Sequence, residues 1–543
     1  MGYAVNLTKS IFPAQSDSEL RDMTLGDLLR ETAEAFPDKV GLVDVDLSGV
    51  VGRSWTYSQM LTDSVSMAHR LAEQFDPGER VTIWSPNSPD WVLMEFACAM
   101  AGIVIVTANP SLQTKELRYI LEQSNSVALF LVDEYRGNPM KEIAREAIVG
   151  LDNLRAVINM DDNKKEVTRN SYNNEKESLP FVDCNDPAMI QYTSGTTGFP
   201  KGAVLSHRSL LNNARFYAER LGVNSESVWA NIMPMFHTSG CGMVTLGCVQ
   251  AGCTMLIFRL FDPLAICKII EQEKVSVILG VPTMLVALLE VLDKETFDVS
   301  SVSMFSSGGA MVAPELISEI KEVFDCGFGT LYGQTETSPV VTQHFIDDSF
   351  DDIYNTIGQP LPHTEVSIRD VDHNDVVAVG DMGEICVKGY CCMVEYHGNP
   401  NATLETVDTD GWLHSGDLGT MDDRGYVRIT GRVKDMIIRG GENMFPAEIE
   451  NSLLEHPSVS EVAVVGIPDD KWGEVIGCFF RSENDEEIPV RLLHDHCRMH
   501  LSPQKTPTIW CRVDGFPMTG SRKIQKFAIR DRFLDGEYES LSL

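Results

Sequence analysis

A chain of 543 residues is long enough for two or more domains with large cores. Its 79 acidic against 44 basic side chains give a formal charge of −35, which opposes nonspecific binding to nucleic acid or an anionic membrane and leaves any anionic ligand to be met by local positive clusters. The 13 cysteines are scattered, and several, such as Cys98 and Cys253, lie in apolar runs; the pattern excludes a disulfide framework and reads as reduced core residues of an intracellular protein.

The opening MGYAVNLTKS has no basic region leading into an apolar core, hence no secretory signal. Gly2 resembles a myristoylation start, but Asn6 stands where serine or threonine is needed. No uncharged apolar run reaches the roughly 18 residues of a spanning helix. The expectation is a cytoplasmic protein with no transmembrane segment and no nucleic-acid partner, with a homodimer left open.

In chain order, Leu25, Leu28, Leu29 and Ala33 share one helical face and Met60, Val65, Ala68 and Leu71 another, which predicts two helices between residues 20 and 75. A βαβ unit follows. Val81 to Trp84 is an apolar strand, SPNSPD a turn with a helix cap, Trp91 to Met100 a helix, and Gly102 to Thr107 a β-branched strand. Short apolar runs at Val127 to Val132, Ala156 to Met160 and Ala188 to Tyr192 extend the series. Strands separated by helices imply a mostly parallel sheet.

The run from Ala188 leads into TSGTTGFPKG, Thr193 through Gly202. Glycine lets backbone approach a ligand, exposed N–H groups and hydroxyls can donate to phosphate oxygens, and Lys201 supplies a point charge. A phosphate is the natural guest; an ordinary hairpin or linker turn is the alternative. A Walker A loop is excluded, because Pro200 precedes Lys201 and Gly202 follows it. Ser206 can then cap a helix through Leu211 and Phe216 to Leu221, and the alternation continues with VWANIMP, CTMLIF, VSVILG, VSMFSSGG and FGTLYGQTE. Ligands in such sheets bind beyond the carboxyl ends of strands.

From about Tyr354 the strands come closer together with glycine turns, in EVSIRD, GEICVKG and GYVRIT, so a small β-rich subdomain is expected. GRVKD, Gly431 to Asp435, is a charged break between apolar stretches and marks a boundary at Arg432 to Lys434. Beyond it, Pro446 at a helix start, the strand VAVVGIP and the helix PVRLLHDHCRMH suggest a separate α+β domain. The run DDSFDD, Asp347 to Asp352, reads as a solvated loop. His496 and His500 could face one way at i, i+4, but without a second ligand cluster the segment reads as an amphipathic surface helix rather than a zinc site.

Three further stretches carry chemistry. YGQTETSP, Tyr332 to Pro339, ends a strand with one aromatic, three hydroxyls and the acid Glu336, which suits magnesium beside a triphosphate. WLHSGDLG puts Asp417 where its carboxylate can accept both hydroxyls of a ribose, although Gly-Asp turns are common. GRVKDMIIRGGEN sets Arg432, Lys434 and Arg439 around the Gly440, Gly441 pair.

In these residues the chain resembles the adenylate-forming superfamily of acyl-CoA synthetases, adenylation domains and luciferases. TSGTTGFPKG, PMFH, YGQTE, HSGDLG, GRVKDMIIRGGEN and the late PMTGSRKIQK occur in the family's order and at its usual separations. The resemblance implies an α/β fold with a large multi-subdomain N-terminal domain over 1–431, made of mostly parallel sheets with helices plus a β-rich subdomain. A hinge at 432–434 and a small mobile α+β C-terminal lid domain over 435–543 would follow. It also implies the reaction: a carboxylate joins the α-phosphate of ATP, pyrophosphate leaves, and the acyl group passes to a thiol.

The same resemblance assigns roles. Thr193, Ser194, Gly195, Thr196, Thr197, Gly198 and Lys201 would wrap the β- and γ-phosphates. Tyr332 would lie against adenine, with Gly333 and Gln334 beside it and Gly309 and Ala310 passing close to base or acyl group. Thr335 would bond the α-phosphate, Glu336 with Thr193 would hold Mg2+, and Asp417 and Arg432 would contact the ribose. Lys523 matches the catalytic lysine, an ammonium that offsets repulsion between carboxylate and α-phosphate. Arg522 stands where the family usually has glycine, a strain of roughly 1–2 kcal/mol if that position needs positive φ.

Lys434 would be the hinge about which the small domain swings, bringing Arg439, Gly440, Gly441 and Trp472 toward coenzyme A. Trp472 equally suits a half-exposed core position. His237 matches an aromatic or histidine gate at the acyl group. Phe236, Gly240, Cys241, Val340 and Val341 would form an apolar wall with Gly309, and TSGCGMV holds no acid to anchor an amine, so an apolar carboxylic acid is the expected substrate. An acceptor thiol on a carrier protein, an oxidative luciferase and a catalytically weakened binding relative are the alternatives.

Overall fold

The computed structural model describes residues 2–161, 178–193, 200–440, 442–469, 471–482, 488–518 and 524–542, the side chains of 442 and 443 excepted. Among these residues the strands make four sheets. A seven-stranded sheet runs Glu395–Tyr396, Lys201–Ser206, Pro187–Thr193, Val104–Ala108, Arg80–Trp84, Ala128–Leu131, Ala156–Asn159, parallel from Pro187–Thr193 onward and antiparallel at the first two strands.

The nine-stranded sheet has a parallel centre, from Gly327–Gly333 through Met304–Ser307, Val277–Leu279, Val228–Asn231 and Thr254–Phe258 to Val40–Val45. Antiparallel strands flank it on both sides. The β-rich subdomain is antiparallel throughout, in the order Ile11–Phe12, Thr364–Arg369, Gly383–Gly389, Leu413–Met421, Val427–Arg432. A fourth sheet, over Ile437–Arg439, Glu442–Met444, Val459–Asp469, Gly473–Ser482 and Ile509–Arg512, belongs to the small C-terminal domain.

The helices form where caps and apolar faces coincide. Thr24 caps Leu25–Ala35 by accepting from the Asp27 N–H, and Leu25, Leu28, Leu29 and Ala33 are all buried. Ser206 caps His207–Arg220 as expected. Pro89–Ala101 is different. Ser88 caps it, Pro89 sits in its first turn and Gly102 ends it at φ 68°, yet it is buried on nearly every side, as a helix does when elements pack all round it.

TSGTTGFPKG connects two antiparallel strands, with Thr193 paired to Lys201, and residues 194–199 between them lie outside the described residues. Two expectations are corrected. DDSFDD is solvated only in part: Ser349 caps the helix Phe350–Asn355, the exposed Arg424 pairs with the buried Asp352 at 2.6 Å, and the Tyr426 hydroxyl donates to Asp348 at 2.6 Å. Val340 and Val341 do not share a wall. Side chains alternate along a strand, so Val340 enters the large core while Val341 packs into the β-rich subdomain with Val366 and Val387.

Candidate active site

The strand Gly327–Gly333 delivers Tyr332 to the seam between the nine-stranded sheet and the β-rich subdomain. Its hydroxyl donates to Asp417 Oδ2 at 2.9 Å, and Arg432 Nε lies 3.0 Å from Asp417 Oδ1. The arginine arrives by register, because Asp417 and Arg432 face each other across the antiparallel pair Leu413–Met421 and Val427–Arg432. Burial, and then the Asp417 charge, push the Tyr332 hydroxyl well above its ordinary range, so it remains a proton donor. The turn before Asp417 is held as well: the Gly416 N–H donates to Glu384 Oε1 at 2.9 Å, and His414 Nδ1 lies 2.7 Å from Glu384 Oε2. That contact raises the imidazole's pKa. Cys386 Sγ lies 3.5 Å from the same nitrogen.

Beyond Tyr332 the chain turns sharply. A side chain at Gly333 would put its Cβ 1.8 Å from the Pro339 carbonyl oxygen, so only glycine fits. Gln334 follows, then Thr335 and Glu336, both buried, in a single 3₁₀ turn. Glu336 Oε1 accepts from the Tyr396 hydroxyl at 2.6 Å, and its carbonyl accepts from the Met393 N–H at 2.7 Å. Burial and the Glu336 charge push Tyr396 upward too.

Tyr396 sits on the edge strand that pairs with Lys201–Ser206, and its ring lies 4.7 Å from Lys201 Nζ. Thr193 Oγ1 donates to the Lys201 carbonyl at 3.4 Å, and Tyr119 Oη to the Pro200 carbonyl at 2.9 Å. Ser194, Gly195, Thr196, Thr197 and Gly198 lie outside the described residues. Tyr396 is thus the link that sequence reading missed: it joins the phosphate-loop lysine to the acid expected to hold magnesium. A carboxylate with one oxygen fixed by a tyrosine offers a hard oxygen ligand of the kind Mg2+ takes.

The acyl-side candidates gather around the π-helical turn Ser239–Thr245, a geometry often found at functional sites. A Cβ on Gly240 would lie 2.4 Å from the Pro234 carbonyl oxygen, which ties the turn to the strand end before it. His237 is exposed and Phe236 half-buried. The Ser239 N–H donates to His237 Nδ1 at 3.1 Å, leaving Nε2 as the proton-bearing nitrogen. Cys241 is fully buried, with Gln191 Nε2 3.0 Å from its sulfur, so the acyl-side turn contacts the strand that leads into the phosphate loop. Gly309, at φ 76°, and Ala310 are exposed just past the strand Met304–Ser307.

In the C-terminal domain the Gly440 N–H donates to the Trp472 carbonyl at 2.7 Å, with Gly440 at φ 61°. Trp472 is 42% exposed, and Arg439 and Lys471 both lie over its ring, at 5.4 and 4.8 Å. The indole is half-exposed and flanked by cations. Lys434 is exposed in the short turn Val433–Asp435. Gly441, Arg522 and Lys523 lie outside the described residues. His496 Nε2 engages the Ser452 carbonyl at 2.7 Å.

Comparison with known proteins bears directly on this arrangement. The AMP-binding enzyme model matches residues 29–397, and the model of the AMP-binding enzyme C-terminal domain matches residues 448–523. The chain belongs to the AMP-binding enzyme family. Its relatives within that family include YngI of Bacillus subtilis (strain 168), 36% identical over 95% of this chain and 98% of the relative. The human mitochondrial medium-chain acyl-CoA ligase ACSF2 is 34% identical over 94% of this chain and 88% of its own. Among solved structures, o-succinylbenzoate CoA synthetase (MenE) from Bacillus subtilis, in complex with the acyl-adenylate intermediate OSB-AMP, superposes with a TM-score of 0.80 at 27% identity, covering 94% and 99% of the two chains. The family's two-domain α/β architecture is the one described above. No helix among the described residues is long and apolar enough to cross a membrane.

Proposed function

We propose that this AMP-binding enzyme is an AMP-forming acid:CoA ligase that activates an apolar carboxylic acid, fatty, aromatic or cyclic, as its adenylate and then transfers the acyl group to coenzyme A. The observation that carries this reading is a pair of contact lines, one from Lys201 through Tyr396 to Glu336 and one from Tyr332 through Asp417 to Arg432, borne at their centre by the stretch Tyr332–Glu336. These contacts support a reading in which Lys201 meets phosphate, Glu336 offers a hard oxygen to a metal ion and Asp417 accepts from a ribose. Anions are met there by local positive charge on a protein that is strongly acidic overall.

In this reading Thr193 to Lys201 hold the β- and γ-phosphates, Thr335 the α-phosphate, and Glu336 with Thr193 a Mg2+ ion. Asp417 and Arg432 take the ribose, and Lys523 stands between carboxylate and α-phosphate. Phe236, His237, Gly240, Cys241, Gly309 and Val340 surround the acyl group. The boundary lies at 432–434 with Lys434 as hinge, and the exposed Trp472, flanked by Arg439 and Gly440, is the surface offered to coenzyme A. The acid preference rests on the apolar surroundings of Cys241 and on the absence of an acid within Ser239–Thr245. The protein works in the cytoplasm, as a monomer or homodimer.

The test is a panel of carboxylic acids scored by pyrophosphate release, with the product identified by mass spectrometry. Acyl-CoA from free coenzyme A is the expected outcome. Transfer only to a carrier-protein thiol moves the acceptor, and no pyrophosphate with any acid overturns the reading.

A further inference from the structure

The β-rich subdomain has two unlike faces. Ile385 and Val387 of the strand Gly383–Gly389 enter its apolar core with Val366 and Ile368, and the alternation along a strand sends Glu384 and Cys386 to the opposite face. On the neighbouring strand Leu413–Met421, His414 stands directly opposite Cys386 in the antiparallel register, and the strand then bulges before Leu418 pairs with Glu384. The side-chain donor atoms of Glu384, Cys386 and His414 all lie within 4.8 Å of one another. His414 Nδ1 is 2.7 Å from Glu384 Oε2 and 3.5 Å from Cys386 Sγ. A carboxylate oxygen, an imidazole nitrogen and a sulfur thus converge on one point.

The far side of the imidazole is arranged for the same task. Asp408 Oδ2 faces His414 Nε2 at 3.6 Å, and Asp408 is itself fixed by accepting from the backbone N–H groups of Asp410 and Trp412, each at 2.9 Å. An imidazole that binds a metal through one nitrogen usually gives its other N–H to a carboxylate, which fixes tautomer and ring. Four-coordinate zinc holds sulfur, nitrogen and oxygen ligands about 3.4–3.6 Å from one another. Cys386 and His414 already stand at that separation, and the His414–Glu384 pair needs to open by roughly 0.7 Å as the ion replaces the proton between them. The charges also fit. With Cys386 as thiolate, Glu384 and Asp408 face Arg369, whose Nη1 lies 4.0 Å from Asp408 Oδ2, so two negative charges are left for a divalent cation to neutralise. The side chains of His414 and Glu384 keep 22% and 15% exposure, which gives an ion and one water a way in.

We propose that Glu384, Cys386 and His414 form a zinc-binding site behind the Asp417 turn, with Asp408 orienting the imidazole and water filling the fourth position. The thiolate selects a thiophilic ion over Mg2+, which takes oxygen ligands, so the site is distinct from the one proposed at Glu336. On binding, the Cys386 sulfur and the His414–Glu384 pair each release a proton to solvent. Glu384 keeps Oε1 on the Gly416 N–H while Oε2 turns to the ion, so the ion braces two strands next to Asp417. The proposal does not depend on the ligase reading.

In the test, the full chain is freed of metals by chelation, kept reduced and given no ATP. It is titrated with Co2+ and followed by absorption, and with Zn2+ in competition with a chromophoric chelator. The wild type is expected to show a thiolate-to-cobalt charge-transfer band together with visible bands of four-coordinate intensity. Cys386→Ala should lose the charge-transfer band, and His414→Gln should weaken Zn2+ binding by about tenfold or more. Asp408→Asn leaves all three ligands in place, so it should keep the band with an affinity about tenfold lower. Absence of a thiolate band in the wild type overturns the proposal without recourse to any variant. A band of equal intensity in Cys386→Ala overturns it too, by placing the ion on another of the 13 cysteines.

Discussion

The seam at Asp417 and the helix face at Glu95 withdraw two carboxyl groups almost equally from water, at 7% and 1% exposure, and treat them in opposite ways. Asp417 is met by a tyrosine hydroxyl on one oxygen and an arginine on the other. Glu95 is met by neither. A buried acid that its own chain satisfies can hold neighbouring elements in place before any ligand arrives. One that its chain leaves unmet has its pKa pushed upward by burial, because the charged form is penalised away from water. Within one domain, the same functional group is paired in one region and left without a protein partner among the described residues in the other.

Asp417→Ala should break the contrast most severely. It removes two hydrogen bonds of the kind made to a charged group, so kcat/KM for ATP is expected to fall by about 10²–10³-fold in pyrophosphate release. The orphaned Tyr332 hydroxyl should lower stability to urea by about 1–3 kcal/mol. Unchanged ATP kinetics would mean that Asp417 is a strut alone.

Glu95→Gln sharpens the other side through pH. The folded-state pKa of Glu95 is raised above its ordinary 4.5, so the folded protein keeps a proton that the unfolded chain releases. Stability then falls as pH rises above 4.5, by about 1.4 kcal/mol per unit, until the folded pKa is passed. The glutamine variant lacks this slope, so the difference in urea midpoints should shift in its favour as pH rises above 4.5. A constant gap would show that Glu95 is ionised in the folded state and has a partner after all.

Tyr396→Phe is the mildest of the three. Removing the hydroxyl from Glu336 Oε1 should loosen that carboxylate by about 1 kcal/mol, seen as a roughly fivefold higher magnesium requirement in pyrophosphate release. A magnesium titration identical to wild type would separate Glu336 from the metal.

The motif residues were legible because their chemistry is local: Tyr332, Glu336, Asp417 and Arg432 can each be named from a few neighbours. Their partnerships were not. Asp417 meets Arg432 only through antiparallel register, and Glu336 meets Tyr396 only because a two-residue edge strand lies beside Lys201–Ser206. Parallel strands were readable from the alternation of apolar runs and helices. The antiparallel pairing of Pro187–Thr193 with Lys201–Ser206 was read only as an alternative, since an antiparallel return needs no helix between its strands. Asp352 read as solvated because Arg424, its partner, lies 72 positions away. Glu95 was silent for the reverse reason: an acid in an apolar helix reads as its exposed side, and here the helix has almost none.

The strand Ile11–Phe12, which completes the β-rich subdomain against Thr364–Arg369, also sets the order in which the protein can be finished on the ribosome. Tyr3 and Gln359, bonded to each other, are 356 positions apart. At about 5–20 residues per second, the earlier-made partner waits roughly twenty seconds to over a minute for the later one to be synthesised. Throughout that interval Phe12, fully buried in the finished fold, has no core to enter. The subdomain that carries Asp417 is thus closed by residues made more than three hundred positions earlier, so its edge strand pairs late in synthesis.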